Sequence, residues 1–219
     1  MKYTELIQQL SSQNVTLVAV SKTKPVSQIL ELYDQGQRIF GENKVQEMVE
    51  KQQNMPTDIH WHMIGHLQTN KVKMIAPFVQ LIHSLDRIKL AVEINKQGKK
   101  FERKIPCLLQ IRVAQEESKY GILPEDLDRF MEEFHHKSLD HITLHGIMGM
   151  ASNTDNKDQV RKEFETLNQC FNQLKEQHFN TETAFKIKSF GMSGDYPIAM
   201  ETGSNMVRIG SLLFGHRNY

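Results

Sequence analysis

A lysine placed where a buried strand leaves a sheet is a candidate nucleophile, and Lys22 has that setting. The run Leu17-Val18-Ala19-Val20 is apolar, β-branched and too short for a helix. It ends at Ser21-Lys22-Thr23-Lys24-Pro25, where Pro25 stops the strand and can open a helix. A neutral lysine amine attacks an aldehyde to form a Schiff base. Lys24 and Arg208 nearby would repel a second positive charge there. Two plainer readings stand beside this one: Lys22 binds an anion electrostatically, or it is a solvated loop residue.

A second group sits late in the chain. Gly191-Met192-Ser193-Gly194-Asp195 and Arg208-Ile209-Gly210-Ser211 each follow an apolar run. The glycines let backbone approach a ligand, and Ser193 and Ser211 add hydroxyl donors. Such turns can hold a phosphate on backbone N–H groups and a helix N-terminus, or they can be turns and nothing more. Asp195 is unfavourable beside a phosphate unless its side chain turns away or caps the following helix.

His60-Trp61-His62 places two imidazoles on one face of a strand. They could be two metal ligands, but no carboxylate or third histidine follows at ligand spacing. A core or hydrogen-bonded histidine, with Trp61 packed on the other face, is the simpler reading, so no metal site is assigned. Cys107 and Cys170 form no CxxC or metal-type spacing and read as reduced and buried. His135-His136 reads as solvated, and most of the 11 methionines as core filler.

These side chains need elements to hold them. Apolar runs predict strands over 16–20, 38–40, 59–64, 81–83, 105–113, 142–148, 185–190 and 206–209. Nearly every one is followed by a helical pattern, as in Val160, Phe164, Leu167, Phe171 and Leu174. A first amphipathic helix covers 3–10, and Asp86 reads as the cap of a helix over 87–96. The segment 96–104, rich in lysine, reads as an exposed turn. Regular β-α alternation implies a parallel sheet with right-handed crossovers. Eight units close into a (β/α)8 TIM barrel, whose useful residues lie at the C-terminal strand ends. An open doubly wound sheet is the competing architecture. The expected organisation is one domain over 1–219, with 1–14 as an extra N-terminal helix packed on the barrel.

The formal net charge of +1, from 27 basic and 26 acidic side chains, gives no reason to expect nucleic acid or an anionic membrane as partner. A hydrophobic share of 39% is enough for a core and argues against disorder. No apolar stretch is long enough to cross a bilayer, and the N-terminus lacks the apolar run of a signal peptide. The expectation is a cytoplasmic protein.

Taken together, several motifs resemble the pyridoxal phosphate homeostasis proteins, which look like the barrel domain of alanine racemase without its second domain. They are Val20-Ser21-Lys22-Thr23-Lys24-Pro25; Phe40-Gly41-Glu42-Asn43 with Val45-Gln46-Glu47; Trp61-His62-Met63-Ile64-Gly65 with Leu67-Gln68-Thr69-Asn70-Lys71; Gly191-Met192-Ser193 with Asp195; and Val207-Arg208-Ile209-Gly210 with Phe214-Gly215. The likeness runs from about Val15 to Tyr219. It implies pyridoxal 5'-phosphate (PLP) as cofactor, with Lys22 as the internal aldimine lysine. It implies that Ser193, Gly210 and Ser211 hold the phosphate, that Arg208 faces the pyridine nitrogen and that Asn43 lines the ring. Arg112 and His66 depart from it, standing where the family usually has Asn and where many members carry Pro.

An arginine at the pyridine nitrogen disfavours ring protonation and weakens the electron sink. Racemisation also needs a second acid or base on the opposite face of the substrate. In alanine racemase that group comes from the additional domain and the partner subunit, and this sequence stops soon after strand eight. The resemblance therefore implies a PLP carrier or buffer with little or no turnover, possible PLP-dependent apo-enzymes as recipients, and a monomer. The alternatives are a PLP-dependent amino-acid racemase and, from another class, a Schiff-base aldolase or metal hydrolase on the same barrel. Lys119, in the loop after strand five, is a candidate for a second cofactor contact.

Overall fold

The computed structural model describes residues 3–116 and 120–215. Eight parallel strands close into a barrel in sequence order. They are β1 (Thr16–Val20), β2 (Ile39–Glu42), β3 (His60–Met63), β4 (Leu81–Leu85), β5 (Ile105–Arg112), β6 (Ile142–Met150), β7 (Ile187–Met192) and β8 (Met206–Ile209). The seam closes where β1 pairs with β8, Leu17 against Val207 and Ala19 against Ile209. That closure rules out the open doubly wound sheet.

The helices are α1 (Tyr3–Ser11), α2 (Val26–Asp34), α3 (Val45–Asn54), α4 (Val72–Ile75), α5 (Ile88–Lys100), α6 (Leu127–His136), α7 (Lys157–Gln177), α8 (Tyr196–Glu201) and α9 (Ser211–Phe214). The main core lies between the outer strand faces and these helices, as in Phe164 stacked at 6.3 Å on Phe190. Helix α1 packs Leu6 and Leu10 against Leu17, Tyr196, Val207 and Ile209, over the β1–β8 seam.

Inside the barrel the two-residue period of a strand decides what reaches the mouth. Val18, Leu81, Leu108, Met148 and Met206 form one apolar interior cluster. Two residues further along four of those strands stand Val20, Gln110, Met150 and Arg208, and all four line the cavity at the strand ends. An apolar floor thus carries a partly polar upper layer.

Several local expectations need correction. Asp86 does not cap α5; Arg87 occupies that position with no side-chain cap. Asp86 instead pairs with the Arg87 guanidinium and lies 3.5 Å from His66. Helix α5 runs on to Lys100, with Gln97 and Gly98 buried, so the lysine-rich segment is helical over its first half. At Gly98 an added Cβ would stand 2.9 Å from both the Arg103 carbonyl oxygen and His141, and that tight packing holds the helix end down. Strands β4, β6 and β7 each reach two residues further than their apolar runs suggest, because ladder pairing continues through polar and glycine positions.

Candidate functional site

The C-terminal strand ends open on a cavity of about 750 Å³. Lys22, Asn43, Ser193, Arg208, Gly210 and Ser211 all line it, together with Thr23, Lys24, His66, Gln110, Tyr120 and Gly194. Residues separated by up to 189 positions meet because β8 closes on β1.

Lys22 follows β1 in a turn that is held from several sides. Thr23 adopts φ 64°, a left-handed conformation uncommon for a β-branched residue. The Lys24 ammonium donates to the Phe214 carbonyl at 2.9 Å and ties this turn to α9. Beside it, Asn43 and Gly65 meet backbone to backbone. An added Cβ at Gly65 would stand 2.4 Å from the Asn43 carbonyl oxygen, so only glycine fits.

The turns after the neighbouring strands β7 and β8 are joined directly: the Gly210 N–H donates to Ser193 Oγ at 3.2 Å. The Asp195 carboxylate accepts from the Met192 N–H. In α9 the N–H groups of Leu213 and Phe214 bond back to the Gly210 carbonyl at 2.9 and 3.0 Å. The amides of Ser211 and Leu212 precede the first N–H that a helical turn can satisfy.

Arg208 is buried, and its guanidinium is fixed by acceptors on both sides. It donates to the Ser189 carbonyl, to Ser189 Oγ at 2.7 Å and to the Gly149 carbonyl at 2.9 Å. Burial lowers its pKa to about 10, partly countered by the Asp195 carboxylate, so it is a cation at neutral pH. Ser189 Oγ lies 3.1 Å from His83 Nδ1, and His83 Nε2 lies 3.0 Å from His62 Nδ1. Burial holds His62 down to about 3 and His83 well below the ordinary histidine range. A pair of neutral imidazoles therefore backs the arginine: Arg208 donates to Ser189 Oγ, which is hydrogen-bonded to His83, and His83 is hydrogen-bonded in turn to His62.

A model of the alanine racemase N-terminal domain matches residues 3–218. The pyridoxal phosphate homeostasis protein of Haemophilus influenzae is 41% identical over 212 residues, covering 95% of this chain and 88% of that one. Its counterpart from Escherichia coli K12 is 38% identical over 216 residues, covering 95% and 88%. The chain belongs to the pyridoxal phosphate homeostasis protein family. Among solved structures, PipY of Synechococcus elongatus PCC7942 with PLP bound superposes at TM-score 0.84 and 31% identity, covering 96% of this chain and 99% of PipY. Clostridium difficile alanine racemase in complex with cycloserine superposes at TM-score 0.80 and 19% identity. That likeness covers 99% of this chain and 59% of the racemase, and it shows a shared barrel.

Three parts of this homeostasis-family barrel escaped the sequence reading. One is the histidine chain: His62 was visible as a core histidine, but its partners His83 and Ser189 come from β4 and β7. The second is a stack of His66 on Tyr120, ring centroids 3.7 Å apart and 19° from parallel, which forms one wall of the cavity. The third is a buried ionic cluster around Lys51 beneath the Lys22 turn. His60 is exposed and plays no part in the site. Cys107 and Cys170 are buried and unpaired, with burial raising both thiol pKa values, that of Cys170 to about 11. No cluster of three or more metal-ligating side chains occurs among the described residues, and none of their helices is long and apolar enough to cross a membrane. Lys119 lies outside the described residues.

Proposed function

We propose that this chain binds pyridoxal 5'-phosphate at the mouth of its barrel and maintains the balance of that cofactor rather than turning over a substrate. One observation carries the reading: Lys22, Asn43, Ser193, Arg208, Gly210 and Ser211 converge on a single cavity. Support comes from relatives named for pyridoxal phosphate homeostasis and from PipY, which was solved with PLP bound.

The side chains present fit the group. An added Cβ at Gly194 would meet nothing within 4 Å, so the turn after β7 has open space at the height of Ser193. Hydroxyls and first-turn amides there suit a phosphoryl group. In this reading Ser193, Gly210 and Ser211 hold the phosphate, Asn43 lines the ring, and the Lys22 amine is joined covalently to the aldehyde carbon. When bound, the cofactor supplies an aldehyde and an electron-withdrawing ring. Arg208 then decides how strongly that ring withdraws. A guanidinium is a donor only, so a ring nitrogen facing it accepts a hydrogen bond and stays unprotonated. The neutral histidine pair behind Arg208 supplies no proton either. The chain's own residues therefore favour holding the cofactor over stabilising a carbanion on it.

The same proposal takes residues 1–219 as one barrel domain, with 1–14 packed on it. It places a monomer in the cytoplasm, with PLP-dependent apo-enzymes as recipients. Purified protein titrated with PLP should turn yellow, and Lys22→Ala should abolish the colour; a colourless wild type overturns the proposal. Incubation of the loaded protein with L-alanine and other amino acids, followed by chiral analysis, separates carrier from racemase. Robust racemisation would overturn the carrier reading.

A further inference from the structure

The turn that carries Lys22 rests on a buried ionic cluster. Lys51, on α3, is 5% exposed, and Glu42, at the end of β2, is fully buried. The Lys51 ammonium donates to Glu42 Oε1 at 2.8 Å, to Glu47 Oε1 at 2.7 Å and to the Ser21 carbonyl at 2.7 Å. Ser21 Oγ donates to the same Glu42 oxygen at 2.6 Å. The Thr23 N–H donates to Glu47 Oε1. Both chain neighbours of Lys22 are thus gripped by one three-membered charge cluster, Ser21 through Glu42 and Lys51, Thr23 through Glu47.

Fold alone does not account for this arrangement. Burying charges is costly, and a buried ion pair stabilises a protein no better than apolar side chains of similar size. Here Lys51 and Glu47 each spend a contact on one of the two peptide units around the candidate nucleophile, and Glu42 holds the Ser21 hydroxyl. Thr23 also sits at φ 64°, a conformation that persists only where the surroundings over-determine it. The acceptor for its N–H is Glu47, which reaches in from the first turn of α3.

The geometry points to Glu47, Lys51 and Glu42 as positioning residues that hold the Lys22 turn in the conformation its amine needs to react with an aldehyde. The inference rests on the PLP reading above and adds what orients the nucleophile. In the step concerned, the neutral Lys22 amine forms a C–N bond to the aldehyde carbon. The carbonyl oxygen leaves as water with the two amine protons, and C=N remains. None of the three cluster residues gains or loses an atom. Their contribution is orientation, and small displacements of a reacting atom can slow a step by about 100-fold.

Glu47 is the residue to test, because its side chain is 21% exposed and its removal leaves the Glu42–Lys51 pair in place. Two measurements on the full chain separate binding from reaction. One is the rate of covalent capture of PLP, read from the growth of visible absorbance and confirmed by borohydride reduction and mass analysis. The other is the affinity for pyridoxamine 5'-phosphate, which carries the same phosphate and ring but no aldehyde. Glu47→Ala is expected to slow capture by about ten-fold or more while leaving pyridoxamine phosphate affinity within about two-fold. Glu47→Gln keeps an acceptor for the Thr23 N–H and is expected to restore most of the rate. An unchanged capture rate in Glu47→Ala overturns the inference, as does a parallel loss of capture, affinity and melting temperature. A wild type that binds pyridoxamine phosphate but never captures PLP overturns both this inference and the covalent reading. Normal capture with an unaffected Glu47→Ala overturns this inference alone.

Discussion

At the residue scale, the site depends on what single side chains can and cannot donate. Arg208→Glu replaces a permanent donor with an acceptor at the proposed pyridine nitrogen. A carboxylate there favours ring protonation, so the absorption spectrum of the loaded protein should change. An unchanged spectrum with PLP still bound would show that Arg208 does not face the ring. Gly65→Ala tests the close approach to Asn43. The added methyl must push on backbone 2.4 Å away, and backbone cannot swing aside as a side chain can. The expected cost is about 1–3 kcal/mol in urea unfolding, together with weaker cofactor binding through the displaced Asn43. Stability equal to the wild type would contradict this account of Gly65.

At the scale of elements, much of the architecture was legible because local chemistry and global fold agree. Pro25 and Gly36 bracket α2, the apolar run of β1 gives way to a turn that carries a lysine, and α7 shows its inner face plainly. What escaped depended on register or on polar residues placed inside. Lys51 reads as a solvated helix lysine until α3 is laid over β2. His83 reads as one more strand residue until β3, β4 and β7 bring it between His62 and Ser189. The His66–Tyr120 stack joins two loops, and no periodicity reports on loops.

The histidine pair has a consequence for pH dependence. Unfolded histidine protonates near pH 6.5, whereas in the folded barrel burial holds His62 down to about 3 and His83 well below the ordinary histidine range. Below the unfolded value the unfolded chain binds more protons. The stability present above it is therefore lost as pH falls, by about 1.4 kcal/mol per pH unit for each histidine. Glu42 opposes this over the carboxylate range, because burial raises its pKa and the folded state takes up its proton first. Comparing His83→Gln with wild type cancels the Glu42 contribution. Urea unfolding across about pH 5.5 to 4 should show a slope smaller by about 1.4 kcal/mol per pH unit in the variant. Equal slopes would mean that His83 is not held neutral.

For the whole molecule, barrel closure is the event that makes a site. Lys22 is far in sequence from Ser193, Arg208, Gly210 and Ser211, and they share a cavity only because β1 pairs with β8. Eight β-α units made closure readable from sequence, and the motifs at both ends of the chain named Lys22, Ser193, Arg208, Gly210 and Ser211, which line one cavity. The wall opposite, where His66 and Tyr120 stand, was not, because the loop after β5 carries no repeating signal. The central claim is a covalent bond between Lys22 and an aldehyde whose phosphate sits across the seam. Borohydride reduction after incubation with PLP, followed by digestion and peptide mass analysis, tests it most directly. The account predicts one reduced pyridoxyl-phosphate adduct per chain, on the peptide containing Lys22. No adduct, or an adduct only on another lysine such as Lys24 or Lys119, would contradict it.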